Sequence, residues 1–343
     1  MRPSSPSGTT GGSVESSGAP GGTGGDGSGW NGSDYVHEAL LFDDERLLRE
    51  RCVPFARDGL ALGQPVLVMA SEPVLAALRT GLGEGAERLE LLGTPDTRWQ
   101  GGHETLLAYG DEFAAVISAG SCWRFIGEPR WLGRPDGLEW HRFESASNRT
   151  FAGMRLHSLC LHDCRHLGEE VLRTVRQTHP IVSDRDGSGP SGDFVEPNAL
   201  VPGLEPPWTP PPRDAHRVQV AGPREGRGVA VEAAAWARLD DRRDDMTVAV
   251  NELVTNALDA GGAPTITYWT DGSHFCLQVS DMGVGVIDPL AGYHPAAPGS
   301  ESGRGLWLAR TLADDAALRS GPAGSAVRLF FRTSPDYSRA AAS

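Results

Sequence analysis

Residues 247–261 read TVAVNELVTNALDAG, and this stretch, with SDMGVGV at 280–286 and SGRGLWLA at 302–309, decides the fold. The first stretch predicts a helix in which Glu252 and Asn256, at i and i+4, lie on one face. The opposite face is apolar, as in a helix that packs on a sheet, and consists of Met246, Ala249, Val250, Leu253 and Ala257. The Asn256 amide oxygen can ligate Mg²⁺, and the Glu252 carboxylate can accept a proton from a nucleophile beside that cation.

Two glycine turns supply the rest of a nucleotide site. Asp281 ends a strand-like run, where its carboxylate can accept a hydrogen bond from an exocyclic amine such as that of adenine. Gly283 and Gly285 follow it and allow backbone angles that other residues avoid. Gly303 and Gly305 precede an apolar helical run, and the free N–H groups at a helix start bind phosphate readily. The three segments in this order predict a nucleotide-binding domain, with a core helix followed by two ordinary glycine turns as the alternative.

These segments resemble the N, G1 and G2 boxes of the GHKL ATPases, and NELVTNALDAGG at 251–262 is most similar to the anti-sigma serine/threonine kinases. The resemblance covers residues 214–333 and implies a GHKL (Bergerat) α/β sandwich that binds ATP with Mg²⁺. It also implies that Glu252 is the catalytic base, that Asn256 is the Mg²⁺ ligand and that Asp281 contacts adenine.

The resemblance implies roles for further positions. The glycines of the two turns would make room for adenine and flank the phosphates: Gly283, Gly285, Gly303 and Gly305. Gly324 and Ser325 match a late Gly-Thr pair that supports the adenine pocket, with serine in place of threonine. Asp259 lies near a position where relatives often carry a basic residue, which makes the phosphate side of this site less positive than usual.

Composition excludes several classes of ATP-using protein. All 31 Lys and Arg residues of the 343-residue chain are Arg. Because a P-loop and a eukaryotic-type protein kinase both need a lysine, neither can supply the ATP chemistry. The formal net charge of −14 disfavours nucleic-acid binding and is compatible with a protein partner that carries basic patches. No apolar stretch approaches the roughly 18 residues of a membrane span and no signal pattern opens the chain, so we expect no membrane association, a cytoplasmic protein and reduced cysteines.

The chain divides by composition into five parts. Residues 1–34 form a Gly/Ser-rich tail that cannot bury enough apolar area to fold, and 334–343 form a second tail. Residues 35–182 alternate strand-like and helical runs, which predicts an α/β domain with a largely parallel sheet. Residues 183–213 contain EPPWTPPP and are predicted to be a semi-rigid Pro-rich linker before the ATPase domain at 214–333.

The first domain resembles the MEDS sensory domain. The matching segments are the strand that contains His37, VPFARDGLALGQPVLVMAS at 53–71, LCLHDCRHL at 159–167 and VLRTVRQTHP at 171–180. The resemblance implies a degenerate RecA-like fold that senses an unknown small-molecule or protein signal. The absence of a Walker lysine agrees with sensing rather than with ATP hydrolysis.

The run HSLCLHDCRH at 157–166 suggests zinc, because it holds histidines alternating with cysteines. A structural zinc site usually has a second, distant pair of ligands, and the sequence shows no such pair of cysteines. Cysteines buried in a core strand are more common, so we interpret Cys160 and Cys164 as core residues. Metal binding by this run and redox sensing by Cys160 or Cys164 stay open.

Aromatic residues cluster in the first domain, and they are Trp123, Phe125, Trp131, Trp140 and Phe143. We interpret them as core and rim residues, with a pocket for an apolar or aromatic signal as the alternative. Glu144 and Asn148 are i and i+4 on a predicted helix and could face such a pocket. A solvated helix face is the preferred interpretation of this pair.

Together these features predict an anti-sigma regulatory factor. It would be an ATP-dependent serine/threonine protein kinase that holds a sigma factor, phosphorylates an anti-anti-sigma partner and responds to the first domain. Two alternatives stay open: an ATP-binding module that sequesters its partner without phosphotransfer, and an unorthodox sensor histidine kinase. The histidine kinase is disfavoured because no helical hairpin with an acceptor histidine precedes residue 214; His37 lies in a strand-like run and His216 at a strand start.

Overall fold

The computed structural model describes residues 34–98, 102–117, 121–134, 137, 139–206, 208–283, 285–286, 288–294 and 304–333, with backbone alone at 114–117. Both predicted tails lie outside the described residues, apart from Asp34. The described residues form two sheets with helices packed against them. Among these residues, no helix has both the length and the apolarity that crossing a bilayer demands.

The first sheet has seven strands, which are β1 Val36–Phe42, β2 Val66–Met69, β3 Leu89–Gly93, β4 Trp123–Gly127, β5 Leu156–Asp163, β6 Ile181–Asp184 and β7 Gly187–Pro190. They lie in the order β3-β2-β4-β5-β1-β6-β7, and all neighbours are parallel except β6 and β7, which form an antiparallel hairpin. The helices of this domain are α1 Glu45–Ala61, α2 Glu72–Leu82, α3 Pro95–Arg98, α4 Gly102–Ile117, α5 Trp140–Thr150 and α6 Glu169–Thr178. The predicted α/β fold with a largely parallel sheet is confirmed.

Helices cover both faces of this sheet, so its central strands are nearly continuous apolar runs. Alternate residues of each strand enter different cores. Leu40 and Val68 pack with α1 and α2 on one face. Ala39 and Leu67 pack on the other face with side chains of α4 and α5.

The second sheet has five strands, which are β8 His216–Gln219, β9 Thr265–Thr270, β10 His274–Asp281, β11 Asp315–Gly321 and β12 Gly324–Arg332. Their order is β11-β12-β10-β9-β8, and every neighbouring pair is antiparallel. The helices of this domain are α8 Pro223–Ala237, α9 Arg243–Asp259 and α10 Arg304–Thr311. Their apolar faces share one buried core with this sheet, which confirms the predicted α/β sandwich.

The segment expected to be a linker, 183–213, is folded over much of its length. It contributes the second strand of the β6–β7 hairpin and α7, Pro197–Leu204, which packs on α5. Val201 is buried with the core of the first domain, because an apolar helix face gains more by packing than by extending. The Pro-rich part is also engaged, since the Arg328 guanidinium lies 4.2 Å from the ring centre of Trp208 and donates to the Thr209 carbonyl at 2.9 Å.

Candidate functional site

The helix α9 carries the predicted acid and amide. Its apolar stripe is buried against the sheet, as predicted: Met246, Ala249, Val250, Leu253 and Ala257. This burial fixes the rotation of the helix. Glu252 is consequently half-buried and Asn256 exposed, on the side that α10 approaches.

Gly305 brings this acid and amide together with the second glycine turn. It is a buried residue in the first turn of α10. A Cβ atom at this position would lie 2.8 Å from Nδ2 of Asn256 and 3.1 Å from Oε2 of Glu252. Any other residue would have to displace the ends of these two side chains, so glycine keeps the space between α10 and α9 open. The start of α10, with its free N–H groups, therefore faces both functional side chains.

The first glycine turn packs on the end of α9. Asp281 is the last residue of β10, and its Oδ1 accepts the Gly283 N–H at 2.7 Å. A Cβ atom on Gly283 would lie 2.5 Å from the carbonyl oxygen of Ala260, and one on Gly262 would lie 2.6 Å from Cβ of Asp281. The turn at the end of β10 is thus held directly against the loop that leaves α9.

The late Gly-Ser pair supports the same turn from the neighbouring strand. Gly324 has a φ of +115°, which favours glycine, and a Cβ atom there would collide with the carbonyl oxygen of Asp281. Ser325 pairs with Asp281 across β10 and β12, and its hydroxyl accepts the Val286 N–H at 3.4 Å. A Cβ atom on Gly285 would lie 2.5 Å from Oγ of Ser320.

The structure thus gathers Glu252, Asn256, Asp281 and the surrounding glycines at one end of α9. Gly303 lies outside the described residues, so nothing follows for it. The individual roles of these residues in nucleotide binding stay predictions.

Family models match both halves of the chain. Residues 212–331 match the family described as the histidine kinase-like ATPase domain. Residues 36–180 match MEDS, described as the MEthanogen/methylotroph, DcmR Sensory domain. The chain therefore joins a MEDS domain to a histidine kinase-like ATPase domain, in that order.

Comparison with individual proteins adds little. No curated protein matches the chain. Among solved structures, the chain is similar to the RsbU and RsbW domains of Rv1364c from Mycobacterium tuberculosis, with 18% sequence identity and a TM-score of 0.25. The match covers 36% of this chain and 32% of that one, so the chain aligns with about a third of that structure.

The MEDS domain contacts the ATPase domain through α5. Arg142 of α5 is buried and donates to both carboxylate oxygens of the partly buried Asp315, at 2.7 and 2.8 Å. Arg149 lies two helical turns after Arg142. It forms a second bidentate pair with Asp288, at 2.7 and 2.8 Å, in an exposed position. These pairs tie one helix of the first domain to two segments of the second.

The segment between the two glycine turns of the ATPase domain enters the core of the MEDS domain. Tyr293 is 1% exposed, and its ring centre lies 5.3 Å from that of Phe143. Its hydroxyl donates to Glu205 at 3.1 Å, and the Arg310 guanidinium lies over its ring at 4.2 Å. His103 of α4 also lies 2.9 Å from the Thr311 hydroxyl of α10, so the first domain touches both elements that border the candidate phosphate site.

The carboxyl edge of the MEDS sheet borders a cavity of about 620 Å³. Ligands of parallel α/β sheets commonly bind at this edge, with phosphates at a helix N-terminus. Here the Glu128 carboxylate lies at the start of α2 and accepts the Ser71 N–H at 2.7 Å. A carboxylate therefore occupies the start of this helix, a place at which phosphates commonly bind in proteins.

A second, narrow cavity of about 40 Å³ lies among the aromatic residues of the MEDS domain. Phe125, Trp131 and Trp140 line it, whereas Trp123 and Phe143 are buried in the adjoining core. Core packing and a small cavity thus coexist in this cluster. Polar side chains, among them His37, Glu144 and Cys160, also line the cavity.

The expected solvated face at Glu144 is wrong, because Glu144 is only 2% exposed. The helix α5 is covered by the sheet on one side and by the ATPase domain on the other, so it has little solvated surface. Asn148, one turn later, is engaged as well: its amide nitrogen donates to the carbonyls of Ser145 and Thr178, at 3.0 and 2.8 Å.

The run 157–166 does not form one site. His157 points to Glu38 at 2.8 Å, and His166 is exposed. Cys160, which was expected to be an ordinary core residue, instead meets His37, Glu144 and His179. Sequence spacing missed this set because its members come from different elements, although His37 and the THP segment that holds His179 both lie in the MEDS-like motifs.

Proposed function

We propose that the chain is an anti-sigma regulatory factor that acts as an ATP-dependent serine/threonine protein kinase on an anti-anti-sigma partner. The observation that carries this proposal is the approach of Gly305 to Glu252 and Asn256. Through this approach a carboxylate, an amide and a helix N-terminus share one small space. The resemblance of residues 251–262 to anti-sigma kinases supports the choice of partner class.

The residues present fit ATP with Mg²⁺. Gly305 leaves free the space that a Cβ atom would fill, and the two facing side chains offer oxygen atoms, the ligands that Mg²⁺ prefers. Bound Mg²⁺ would neutralise charge on the phosphates. In this proposal the Asn256 amide oxygen holds the cation, and Asp281 accepts the exocyclic amine of adenine. The N–H groups at the start of α10 orient the phosphates.

Glu252 is the proposed general base. It would accept the proton of the partner's serine or threonine hydroxyl as that oxygen attacks the γ-phosphorus, while the bond from this phosphorus to the β,γ-bridging oxygen breaks and ADP leaves. Such assistance is worth about 10² to 10⁴ in rate, and positioning of the phosphates adds to it. The half-buried position of Glu252 suits this role, because it faces the site while staying open to an incoming protein substrate.

Control by the MEDS domain is the second part of the proposal. That domain holds Tyr293 and contacts Asp288, both between the two glycine turns, and His103 of α4 lies 2.9 Å from the Thr311 hydroxyl of α10. A signal that shifts α4 or α5 would therefore change the borders of the phosphate site. It can do so only if it binds the two arrangements of the domains unequally.

Radiolabelled γ-phosphate tests the proposed reaction. The full-length protein is incubated with labelled ATP, Mg²⁺ and partner proteins captured from native lysate. Label on a serine or threonine of a captured partner is the expected result. Label on a histidine of this chain would instead identify a sensor histidine kinase, and ATP binding without any transfer would identify a sequestering module.

A further inference from the structure

Four buried side chains of the MEDS domain converge on one point. His37 of β1, Glu144 of α5, Cys160 of β5 and His179, which follows α6, each direct a ligand atom to it. These four atoms lie within 4.8 Å of one another, and all four residues are buried. We name this set the buried donor cluster.

Two distances in the buried donor cluster match those between metal ligands. Cys160 Sγ lies 3.5 Å from His37 Nε2, and His179 Nε2 lies 3.6 Å from Glu144 Oε1. Ligands of a tetrahedral Zn²⁺ ion, at about 2.0 to 2.3 Å from the metal, are about 3.3 to 3.6 Å from each other. All four ligand atoms lie within 4.8 Å of one another, so a bound cation would draw the wider pairs of the set together.

Neighbouring groups set the tautomer of His37. The amide nitrogen of Asn148 donates to two carbonyls, so its oxygen is the atom that faces Nδ1 of His37, at 3.1 Å. Nδ1 must then carry the proton and donate it. Nε2 keeps a lone pair, and this lone pair points into the cluster. Such a partner behind a histidine is the arrangement that orients metal ligands in proteins.

His179 is fixed in the same way. Its Nδ1 lies 2.8 Å from the Val175 carbonyl oxygen, which can only accept, so Nδ1–H donates. His179 is fully buried, and in the described part of the chain its Nε2 has no hydrogen-bond partner. Both histidines thus direct a lone pair to the same point: Nε2 of His37 meets the Cys160 thiol there, and Nε2 of His179 is left unpaired, which destabilises a buried polar atom.

Glu144 adds a negative charge that lacks a matched cation. Its Oε2 is buried without a hydrogen-bond partner among the described residues. The ion-pair neighbours of its carboxylate there are the rings of His141 and His179, at 3.7 and 3.6 Å. Neither ring nitrogen lies within hydrogen-bonding distance of the carboxylate. An unpaired buried carboxylate is strongly unfavourable.

We propose that the buried donor cluster binds one divalent transition-metal ion of the Zn²⁺ class, with His37, Glu144, Cys160 and His179 as ligands. Imidazole, thiolate and carboxylate together suit Zn²⁺, whereas Mg²⁺ and Ca²⁺ take oxygen ligands. On binding, the Cys160 thiol loses its proton to solvent and the sulfur becomes an anionic ligand. With Glu144 the ligands then balance the charge of a divalent cation.

The metal would link four separate elements of the MEDS domain. One of them, α5, also carries Arg142 and Arg149, which bind the ATPase domain. Occupancy of the site therefore fixes the helix that connects the two domains. The narrow cavity lies beside the same point, since His37, Glu144 and Cys160 line it.

Metal content of the full-length protein tests this proposal. The chain is purified, stripped with a chelator and reconstituted with Zn²⁺ or Co²⁺, and bound metal is measured by elemental analysis. We expect about one ion per chain, and the Co²⁺ form should show the sulfur-to-cobalt charge-transfer absorption of a thiolate ligand. A chain that takes up neither metal, or that binds Co²⁺ without this absorption, would overturn the proposal without bearing on the ATP site.

Two matched pairs of variants locate the site. Cys160→Ser and His179→Ala should lose at least nine-tenths of the bound metal. Cys52→Ser and His157→Ala, which alter a buried cysteine and a buried histidine elsewhere in the domain, should retain it. Circular dichroism checks that each variant is folded. Equal metal content in all four variants would show that the metal lies elsewhere, and the absorption of wild-type Co²⁺ protein decides the matter if Cys160→Ser fails to fold.

Discussion

The two domains use the same short pattern for opposite purposes. In α9, Glu252 and Asn256 form an acid–amide pair at i and i+4, and in α5, Glu144 and Asn148 form another. The first pair is partly open to solvent and lies beside Gly305, where we propose that the nucleotide binds. The second pair is enclosed. Its amide contacts the ring of His37 and does not face solvent or a nucleotide. The comparison teaches that burial, and not spacing, decides what such a pair can do.

The largest expected effect is the loss of phosphotransfer when Glu252, the acid of the open pair, is replaced. Glu252→Gln keeps size and hydrogen bonding but cannot accept a proton, so phosphotransfer should fall by about 10² to 10⁴ while ATP still binds. Transfer is measured with labelled ATP and binding by calorimetry. The control is Glu232→Gln on the exposed face of α8, which should change neither quantity. Equal transfer by Glu252→Gln and wild type would remove Glu252 from the mechanism.

The next largest effect is the loss of stability when the two arginines by which α5 contacts the ATPase domain are replaced. Arg142→Ala leaves the partly buried Asp315 without its partner and should cost about 3 to 5 kcal/mol in the free energy of unfolding. Arg149→Ala breaks an exposed pair with the same bidentate geometry and should cost under about 1 kcal/mol. Urea unfolding of the full chain measures both. Similar losses in the two variants would contradict the view that α5 is enclosed between the domains.

Replacing the amide of each pair should weaken a different binding activity, Zn²⁺ binding in one case and ATP binding in the other. Asn148→Ala removes the group that orients His37 and should weaken Zn²⁺ binding by about ten- to a hundredfold, with ATP affinity unchanged. Asn256→Ala should weaken Mg²⁺-dependent ATP binding at least as much, with Zn²⁺ affinity unchanged. Titrations of both ligands against both variants provide the four values. If either variant changed both affinities equally, the amides would be acting on folding and not on their own sites.

The smallest effect is a dependence of the free energy of unfolding on pH, caused by Glu139 near the domain interface. Burial raises the pKa of Glu139 from 4.5 to about 7, and the nearby Asp315 carboxylate adds to this rise. A raised pKa means that the folded state holds the proton more tightly, so the contribution is complete below pH 4.5 and is lost as pH rises through 7. The free energy of unfolding of wild type should therefore fall by about 1 to 2 kcal/mol over this range.

Glu139→Gln is the variant that tests this pH dependence. Glutamine stays neutral at every pH, so the stability of the variant relative to wild type should grow between pH 5 and pH 8. Glu232→Gln, at an exposed position, serves as the control and should follow wild type at both values. Parallel curves for wild type and Glu139→Gln would show that this carboxyl titrates as it does in water.

Sequence patterns predicted the ATPase domain in more detail than the MEDS domain. The apolar stripe from Met246 to Ala257 is buried, as its helical period predicted. The helix 247–261 and the two glycine turns together indicated a nucleotide-binding family. Helical periodicity and glycine turns are local properties, so they can be recognised before any packing is known. The structure of the segment 183–213 was harder to predict, because its prolines suggested an extended linker. In the folded chain, Val201 is buried in the core of the first domain and Arg328 donates to the Thr209 carbonyl.

The sequence by itself determined the order of the two domains, the face of α9 that carries Glu252 and Asn256, and the glycines that leave room beside them. Each of these follows from the properties of neighbouring residues. Only the tertiary structure decided that His37, Glu144, Cys160 and His179 meet. Parallel strands connected through helices bring distant residues to one place, and a helix between two domains loses its solvated face. A spacing in the chain cannot show either of these effects, because both depend on which elements pack together.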